Sequence, residues 1–141
     1  MAQTNADDFP EKELTREIIA AFYRVYNKLG YGFLETVHQR ALAHELTKRG
    51  IRVEREYLSE VFYDGVMVGH YKSDLVAEQK VEIETKASEH LVEADRKQML
   101  NYLRSTNLEV GLLLHFGPKP SHRRFVYSNK NKPWTLRISD S

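Results

Sequence analysis

The run Val110 to Phe116 (VGLLLHF) constrains the fold of this chain more than any other feature. Its seven residues are almost all apolar and do not alternate with polar ones, which predicts a strand buried on both faces. Residues 89–104 before it show helical spacing, and the run Val81 to Ala87 before that helix alternates strictly. A helix of this length is typical of the crossover between two parallel strands. The three segments therefore predict a β-α-β unit.

Two helices and a hairpin are predicted upstream of this unit. Apolar residues recur every three or four positions from Leu14 to Leu29 and again from Leu34 to Leu46, the pattern of amphipathic helices. Residues 51–63 contain two short runs rich in β-forming residues, and Val66 to Val76 is a longer one. Asp64-Gly65 between them is a strong hairpin-turn signal. The order of elements is helix, helix, β-meander, helix, strand.

This order predicts an α/β or α+β fold, in which helices pack on a sheet that contains one parallel pair. Phe125 to Tyr127 and Trp134 to Ile138 are expected to add two edge strands. Hydrophobic residues make up 41% of the 141 residues, enough for the core of one domain. We assign residues 1–10 to a disordered leader and residues 11–139 to a single domain.

Several classes of function have no support in the sequence. The chain contains no cysteine, so disulfides, thiolate-held metals and cysteine nucleophiles are excluded. It has no phosphate-binding GxxxxGK loop, no GxSxG elbow and no HExxH motif. No apolar run approaches the roughly 20 residues that cross a bilayer, and the polar, acidic start of the chain does not resemble a secretory signal. We therefore expect a cytoplasmic protein that does not bind membranes.

The net charge of +1 conceals a basic C-terminal segment. Between residues 117 and 139 there are only basic charges, while the rest of the chain is acidic overall. Aromatic residues alternate with these cations, a composition that suits phosphate contacts and base stacking. A solvated surface, or an edge hairpin whose aromatics cover the core, explains the same pattern equally well. The basic residues of the segment are Lys119, Arg123, Arg124, Lys130, Lys132 and Arg137.

The alternating strand carries a charged face. Glu82, Glu84 and Lys86 share one side of the strand, because successive side chains point to opposite faces. If Asp74 lies on the neighbouring antiparallel strand, three carboxylates and one ammonium group converge. Clustered carboxylates repel one another unless a cation neutralises them, and oxygen ligands suit Mg²⁺ or Mn²⁺. The alternative is an exposed strand face with ordinary cross-strand ion pairs.

An aspartate, a gap of about ten residues and then Glu-x-Lys on a strand resembles the PD-(D/E)xK nuclease superfamily. The segments GFLETVH (32–38), ALAHEL (41–46), QMLNYL (98–103) and VGLLLHFG (110–117) further resemble the bacterial and archaeal GxxExxY proteins of that superfamily. Gln98 to Tyr102 also reads as the QxxxY motif of RecB-type nucleases. The resemblance covers roughly residues 14–127. It implies a restriction-endonuclease-like core, with a central mixed β-sheet flanked by helices, and therefore a single nuclease-like domain.

The resemblance also implies a role for each matching residue. Asp74 would be the central metal ligand and Glu84 the second ligand, with the Thr85 carbonyl close to the ion. Glu35 would reach the metal from the helical layer and take part in catalysis. Lys86 would be the catalytic lysine. The implied cofactor is Mg²⁺ or Mn²⁺.

Other residues are assigned to the rim of the site and to the substrate. Gln98, on the crossover helix, would help to orient Lys86 or the phosphate. Tyr102, one helical turn later, would either touch nucleic acid or pack. Arg123, Arg124 and Lys119 would hold the nucleic-acid backbone.

Three positions depart from the family pattern. His38 replaces the tyrosine that gives the GxxExxY proteins their name, Ser73 replaces a proline, and His115 replaces the usual asparagine. Glu35 and His38 also form the Glu-x-x-His half of a di-iron motif, but the chain has no second half. Glu82 is an additional acid on the site face, and we assign it to the solvent-exposed start of the strand rather than to the ligands.

These observations support two functions. The first is a metal-dependent nuclease that hydrolyses phosphodiesters, favoured because Glu35, Asp74, Glu84 and Lys86 are all present. The second is an inactive module that keeps the nuclease fold and binds nucleic acid or a protein partner, favoured by the altered residue His38. DNA is the expected partner rather than RNA, and a homodimer is expected if both strands of a duplex are cut.

Overall fold

The computed structural model describes residues 9–132, which form three helices, five strands and a short 3-10 turn. Among these residues, no helix is long and apolar enough to cross a bilayer. The elements in chain order are α1 (Lys12–Leu29), α2 (Glu35–Lys48), β1 (Val53–Tyr63), β2 (Val66–Ala77), β3 (Val81–Lys86), α3 (Glu93–Ser105), β4 (Val110–Phe116), β5 (Pro120–Val126) and the turn Asn129–Asn131.

The five strands form one mixed sheet in the order β1-β2-β3-β4-β5. β3 and β4 are parallel, and the other neighbouring pairs are antiparallel. The predicted β-α-β unit is therefore confirmed, with α3 as its crossover. All seven residues of β4 are buried, because helices cover both faces of the sheet at its centre.

The two faces of the sheet carry different helices. α1 and α2 pack on the face that presents Ile83, Leu112 and Leu114, and bury Phe22 and Leu42 among others. α3 packs on the opposite face against Leu113 and Phe125. Gly111 lies under α3, and a side chain there would collide with the Met99 sulfur atom. The glycine therefore lets α3 approach the sheet closely, on the same face as the charged side chains of β3.

The hairpin of β1 and β2 extends beyond the rest of the sheet. The ladder between β2 and β3 covers only Leu75 to Ala77, whereas β2 pairs with β1 along almost its whole length. Asp64 and Gly65 form the predicted turn, both with positive φ (52° and 82°), as a two-residue hairpin requires. The backbone ladder between β2 and β3 therefore ends at the pair Leu75 and Ile83, before the end of β3.

Some boundaries differ from the prediction. α3 starts at Glu93 rather than at residue 89 because the preceding residues form bends. β1 is one strand, interrupted by the left-handed residue Glu56 (φ 52°). β5 begins at Pro120, earlier than predicted. Its first residues are mostly polar, which an edge strand tolerates, so they show no alternation of apolar and polar residues. The strand predicted at Trp134 to Ile138 and most of the predicted leader fall outside the described residues.

Candidate metal-binding and catalytic site

Asp74 lies at the point where β2 parts from β3. The ladder between the two strands ends at the pair Leu75 and Ile83. The Asp74 carboxylate then accepts the next hydrogen bond from β3: its Oδ2 lies 2.8 Å from the Thr85 backbone nitrogen and 3.1 Å from the Thr85 hydroxyl. The side chain thus takes the place of a backbone acceptor, which fixes one carboxylate oxygen and leaves the other for a ligand.

Glu82, Glu84 and Lys86 share the face that α3 covers, as the alternation predicts. They pair in register with Gly111, Leu113 and His115 of β4. Glu82 is 0% exposed, so its assignment to a solvent-exposed strand start was wrong. The start of β3 lies beneath α3 and beside β2, and this burial places the extra acid inside the molecule.

Asp74, Glu82 and Glu84 lie close together, so the negative charge of each carboxylate makes ionisation of the others less favourable. Burial raises the pKa of Glu82, and the Asp74 carboxylate raises it further. Burial also raises the pKa of Glu84, and repulsion from Glu82 and Asp74 adds to the effect. Contacts with Glu84 and Ser73 lower the pKa of Glu82 without offsetting its burial, and neither its carboxylate oxygens nor the Ser73 hydroxyl has the geometry of a full hydrogen bond. A cation in this pocket would relieve the repulsion.

Glu35 completes the site from the other side of the sheet. It is the first residue of α2, and its Oε2 accepts a hydrogen bond from the Ala87 backbone nitrogen at 3.2 Å. Burial raises the pKa of Glu35, while the Ala87 hydrogen bond and the Lys86 charge lower it. The Asp74 charge acts on the same carboxylate, so the helical acid reaches the end of β3, where the other charged groups lie.

Lys86 has an acidic partner that the sequence prediction missed. Its Nζ lies 3.7 Å from Oδ1 of Asp95 on α3. The other oxygen, Oδ2, accepts a hydrogen bond from the Val92 backbone nitrogen at 3.0 Å. Asp95 resembles a surface acid in the sequence, between Glu93 and Arg96. The available signal was its place in the first helical turn, where an acid caps free backbone N–H groups.

The residues present fit a hard divalent ion. Within residues 9–132 no group of three or more His, Asp or Glu side chains is arranged to hold a metal ion, so any ion here would depend on fewer protein ligands. Mg²⁺ normally binds through one or two protein carboxylates and takes its other ligands from water and phosphate. Asp74 and Glu84 could supply that pair, with Glu35 beside them, and the repulsion among the acids provides the driving force.

His38 does not belong to the metal site. It is fully buried, and its Nε2 donates a hydrogen bond to the Gly30 carbonyl at 2.9 Å. Its ring stacks on Phe116 at a centroid distance of 4.2 Å. The histidine therefore supports the loop between α1 and α2. Because its ring is buried there, it does not form a di-iron site with Glu35.

The two residues of the QxxxY motif lie in different environments: Gln98 is exposed and Tyr102 is buried. The exposed Gln98 follows Asp95 by three residues on α3, a spacing that puts both on one side of the helix. Tyr102 is 0% exposed, and its hydroxyl lies 3.0 Å from the Ser59 hydroxyl. The assignment of Tyr102 to nucleic-acid contact is therefore corrected: the side chain packs between α3 and the β1–β2 hairpin, and only the packing alternative agrees with its burial.

The predicted phosphate-contacting cations lie on different sides of the sheet. Arg123 pairs with Leu113, the residue that also pairs with Glu84, so Arg123 shares the face of the acids. Two strand spacings separate the Arg123 and Glu84 backbones, about 10 Å. The Arg124 guanidinium lies on the other face, 5.4 Å from the centroid of the Phe9 ring. Lys119 is exposed in the turn before β5.

Comparisons with known proteins agree with this geometry. The chain matches the family model described as the PD-(D/E)XK nuclease superfamily over residues 12–125. Among solved structures, the crystal structure of SSO0001 aligns with a TM-score of 0.55 and 20% sequence identity, over 92% of this chain and 65% of that one. At this identity the likeness shows a shared fold. No curated protein matches the chain, and the narrower resemblance to GxxExxY proteins stays a prediction.

Proposed function

The chain belongs to the PD-(D/E)XK nuclease superfamily, and we propose on this basis that it is a metal-dependent nuclease that hydrolyses phosphodiesters of nucleic acid. The observation that carries the proposal is the convergence of Asp74, Glu84, Glu35 and Lys86 at the end of β3. These groups come from two strands and a helix on opposite sides of the sheet. Asp74 lies beside Glu84 and within electrostatic reach of Glu35, and this grouping supports a chemical role over ordinary surface ion pairs.

Asp74 and Glu84 would hold the metal ion, and Glu35 would contribute from the helical layer. A bound Mg²⁺ or Mn²⁺ polarises the phosphate and lowers the pKa of a coordinated water molecule. Thr85 holds Asp74 in place through two hydrogen bonds to one oxygen. These contacts reduce the freedom that Asp74 would lose when it binds a cation.

Lys86 would act on the phosphate directly. Its ammonium group supplies a fixed positive charge beside the acids, and such a charge stabilises the negative charge that develops on the phosphate in the transition state. Gln98, at the rim of the site, would orient the phosphate or Lys86. Arg123, on the same face, would bind the phosphate backbone away from the reacting bond. DNA is the expected substrate rather than RNA, and a homodimer would be needed only for cleavage of both strands of a duplex.

The test is a cleavage assay on plasmid, single-stranded DNA and RNA in Mg²⁺, Mn²⁺ or EDTA. We expect cleavage that depends on the metal and is lost in Asp74→Ala and Lys86→Ala. Glu60→Ala and Lys80→Ala are matched controls, because both residues are exposed and lie outside the site. They should retain full activity.

A separate measurement distinguishes a nuclease from an inactive binding module. Calorimetric titration with Mn²⁺ reports metal binding without requiring turnover. Binding of Mn²⁺ that is lost in Asp74→Ala and Glu84→Gln supports the proposed site. Nucleic-acid binding that survives Asp74→Ala and Lys86→Ala, without cleavage of any substrate by the wild-type protein, would instead establish the inactive module.

A further inference from the structure

Large apolar side chains are exposed on both sides of the proposed catalytic site. On one side they form an apolar ridge, which consists of the loop before α2 and its first turn. Tyr31 and Phe33 are each 45% exposed, Leu34 is 76% exposed and Val37 is 39% exposed. On the other side, Val92 at the start of α3 is 59% exposed. Exposed apolar groups in such a cluster mark a surface that binds something.

The ridge is joined directly to the catalytic groups. Leu34 immediately precedes Glu35, whose carboxylate accepts a hydrogen bond from the backbone of Ala87. Val92 is held by Asp95, and Asp95 in turn lies beside Lys86. The apolar ridge and Val92 are therefore each one or two contacts from the end of β3. A polymer whose phosphate lies at the acids would place its neighbouring groups against these surfaces.

The core holds the ridge in a fixed position. The Phe33 ring meets His38 edge-on at a centroid distance of 5.8 Å, and His38 stacks on the buried Phe116. The same His38 binds the Gly30 carbonyl, and Gly32 adopts φ 111°, a conformation that suits glycine. Phe33 is therefore presented to solvent on a supported loop, so it needs little ordering before it binds a ligand.

We propose that the apolar ridge stacks unpaired nucleobases, and that the substrate is therefore single-stranded nucleic acid or an unpaired segment of a duplex. This inference rests on the proposed nuclease function. Unpaired bases present flat apolar faces that stack on aromatic side chains, whereas the bases of an intact duplex stack on one another and are hidden. The carboxylates and Lys86 would bind the phosphate, and the ridge would bind the adjoining base.

The first test measures binding in Ca²⁺, in place of Mg²⁺, to a single-stranded oligonucleotide with an internal 2-aminopurine and to the matching duplex. We expect tighter binding of the single strand and a change in 2-aminopurine fluorescence on stacking. Tyr31→Ala and Phe33→Ala should each weaken single-strand binding about tenfold and reduce the fluorescence change. Tyr63→Ala is the matched control, because Tyr63 is 66% exposed at the far end of the β1–β2 hairpin.

The outcomes separate this inference from the nuclease proposal. Equal binding of single strand and duplex, unaffected by Tyr31→Ala, would overturn the inference even if the protein cleaves DNA. Loss of single-strand binding in both ridge variants, with unchanged melting temperatures, would support the inference even if no substrate is cleaved. A dimer in gel filtration that Tyr31→Ala converts to a monomer would overturn it, because the ridge would then be a protein interface.

Discussion

At the scale of single residues, Asp95 links the start of α3 to the proposed catalytic lysine. One carboxylate oxygen caps Val92 and the other faces Lys86. The two contacts respond differently to substitution. Asparagine keeps an oxygen that can accept the Val92 hydrogen bond but removes the charge that attracts Lys86. Alanine removes both.

We predict that Asp95→Asn lowers kcat about tenfold to a hundredfold while the melting temperature stays nearly unchanged, because Lys86 loses the charge that positions it. Asp95→Ala should lower kcat similarly and also cost about 0.5–2 kcal/mol of stability through the lost cap. Single-turnover cleavage and thermal unfolding measure the two effects. Glu93→Gln is the control, since Glu93 is an exposed acid of the same helical turn. Equal kcat values for wild type and Asp95→Asn would contradict a positioning role.

Glu82 shows that the site is built at a cost to stability. Its carboxylate is fully buried, has no hydrogen bond of good geometry and lies beside two other acids, and its contact with Ser73 does not offset the burial. An unsatisfied buried polar group destabilises a protein by about 1–3 kcal/mol.

We predict that Glu82→Met, which removes the carboxyl group and keeps similar volume, raises the stability of the metal-free protein by about 1–3 kcal/mol. Glu82→Gln should raise it less, because the amide removes the charge but stays unsatisfied. Urea unfolding in EDTA at neutral pH measures both. Glu60→Gln, at an exposed acid of β1, serves as the control. If both Glu82 variants unfold at a lower urea concentration than the wild type, the carboxylate has a stabilising partner and the prediction is wrong.

At the scale of elements, the sequence predicted the helices and strands whose apolar residues recur at a regular spacing. It missed the elements whose residues show no such spacing. β4 and the β3–α3–β4 crossover follow from an apolar run and two clear periodicities. β5 was predicted only at its end, because His122 and Arg123 look like loop residues until β4 supplies a partner strand. The burial of Glu82 and the contact of Asp95 with Lys86 were not predictable, since both depend on how α3 settles over the sheet.

β5 is attached to α1 through a titratable contact. The Tyr23 hydroxyl lies 2.8 Å from His122 Nδ1, and the two rings meet edge-on. Burial lowers the pKa of His122, and the charge of Arg124 lowers it further. The unfolded chain therefore takes up a proton on this histidine at a higher pH than the folded protein does.

We predict that the stability contributed by His122 is full above pH 6.5, the ordinary pKa of histidine, and is lost as pH falls through the lower folded-state pKa. The difference in unfolding free energy between wild type and His122→Asn should shrink over that range. Urea unfolding at a series of pH values measures it. His44→Asn, on the exposed side of α2, is the control. A difference that stays constant with pH would mean that His122 does not titrate differently in the two states.

At the scale of the whole molecule, the sheet places the adjacent cations Arg123 and Arg124 on opposite faces. Arg123 faces the side of the acids and of α3, because it pairs with Leu113 of β4, which packs against α3. Arg124 faces the α1 side and packs on Phe9. The sequence grouped the two arginines because they are adjacent, but neighbours along a strand point to opposite faces. Only one of them lies on the face where nucleic acid would meet the metal site.

We therefore predict that Arg123→Ala weakens nucleic-acid binding and reduces the slope of log affinity against log salt by about one unit, as the loss of one phosphate contact requires. Arg124→Ala should leave that slope unchanged and lower only the melting temperature, because its guanidinium packs against an aromatic ring. Fluorescence anisotropy over a salt series, in Ca²⁺, measures the slopes. Since the two residues are adjacent and identical in chemistry, each is the control for the other. Equal slopes for both variants would show that the substrate does not follow the α3 face of the sheet.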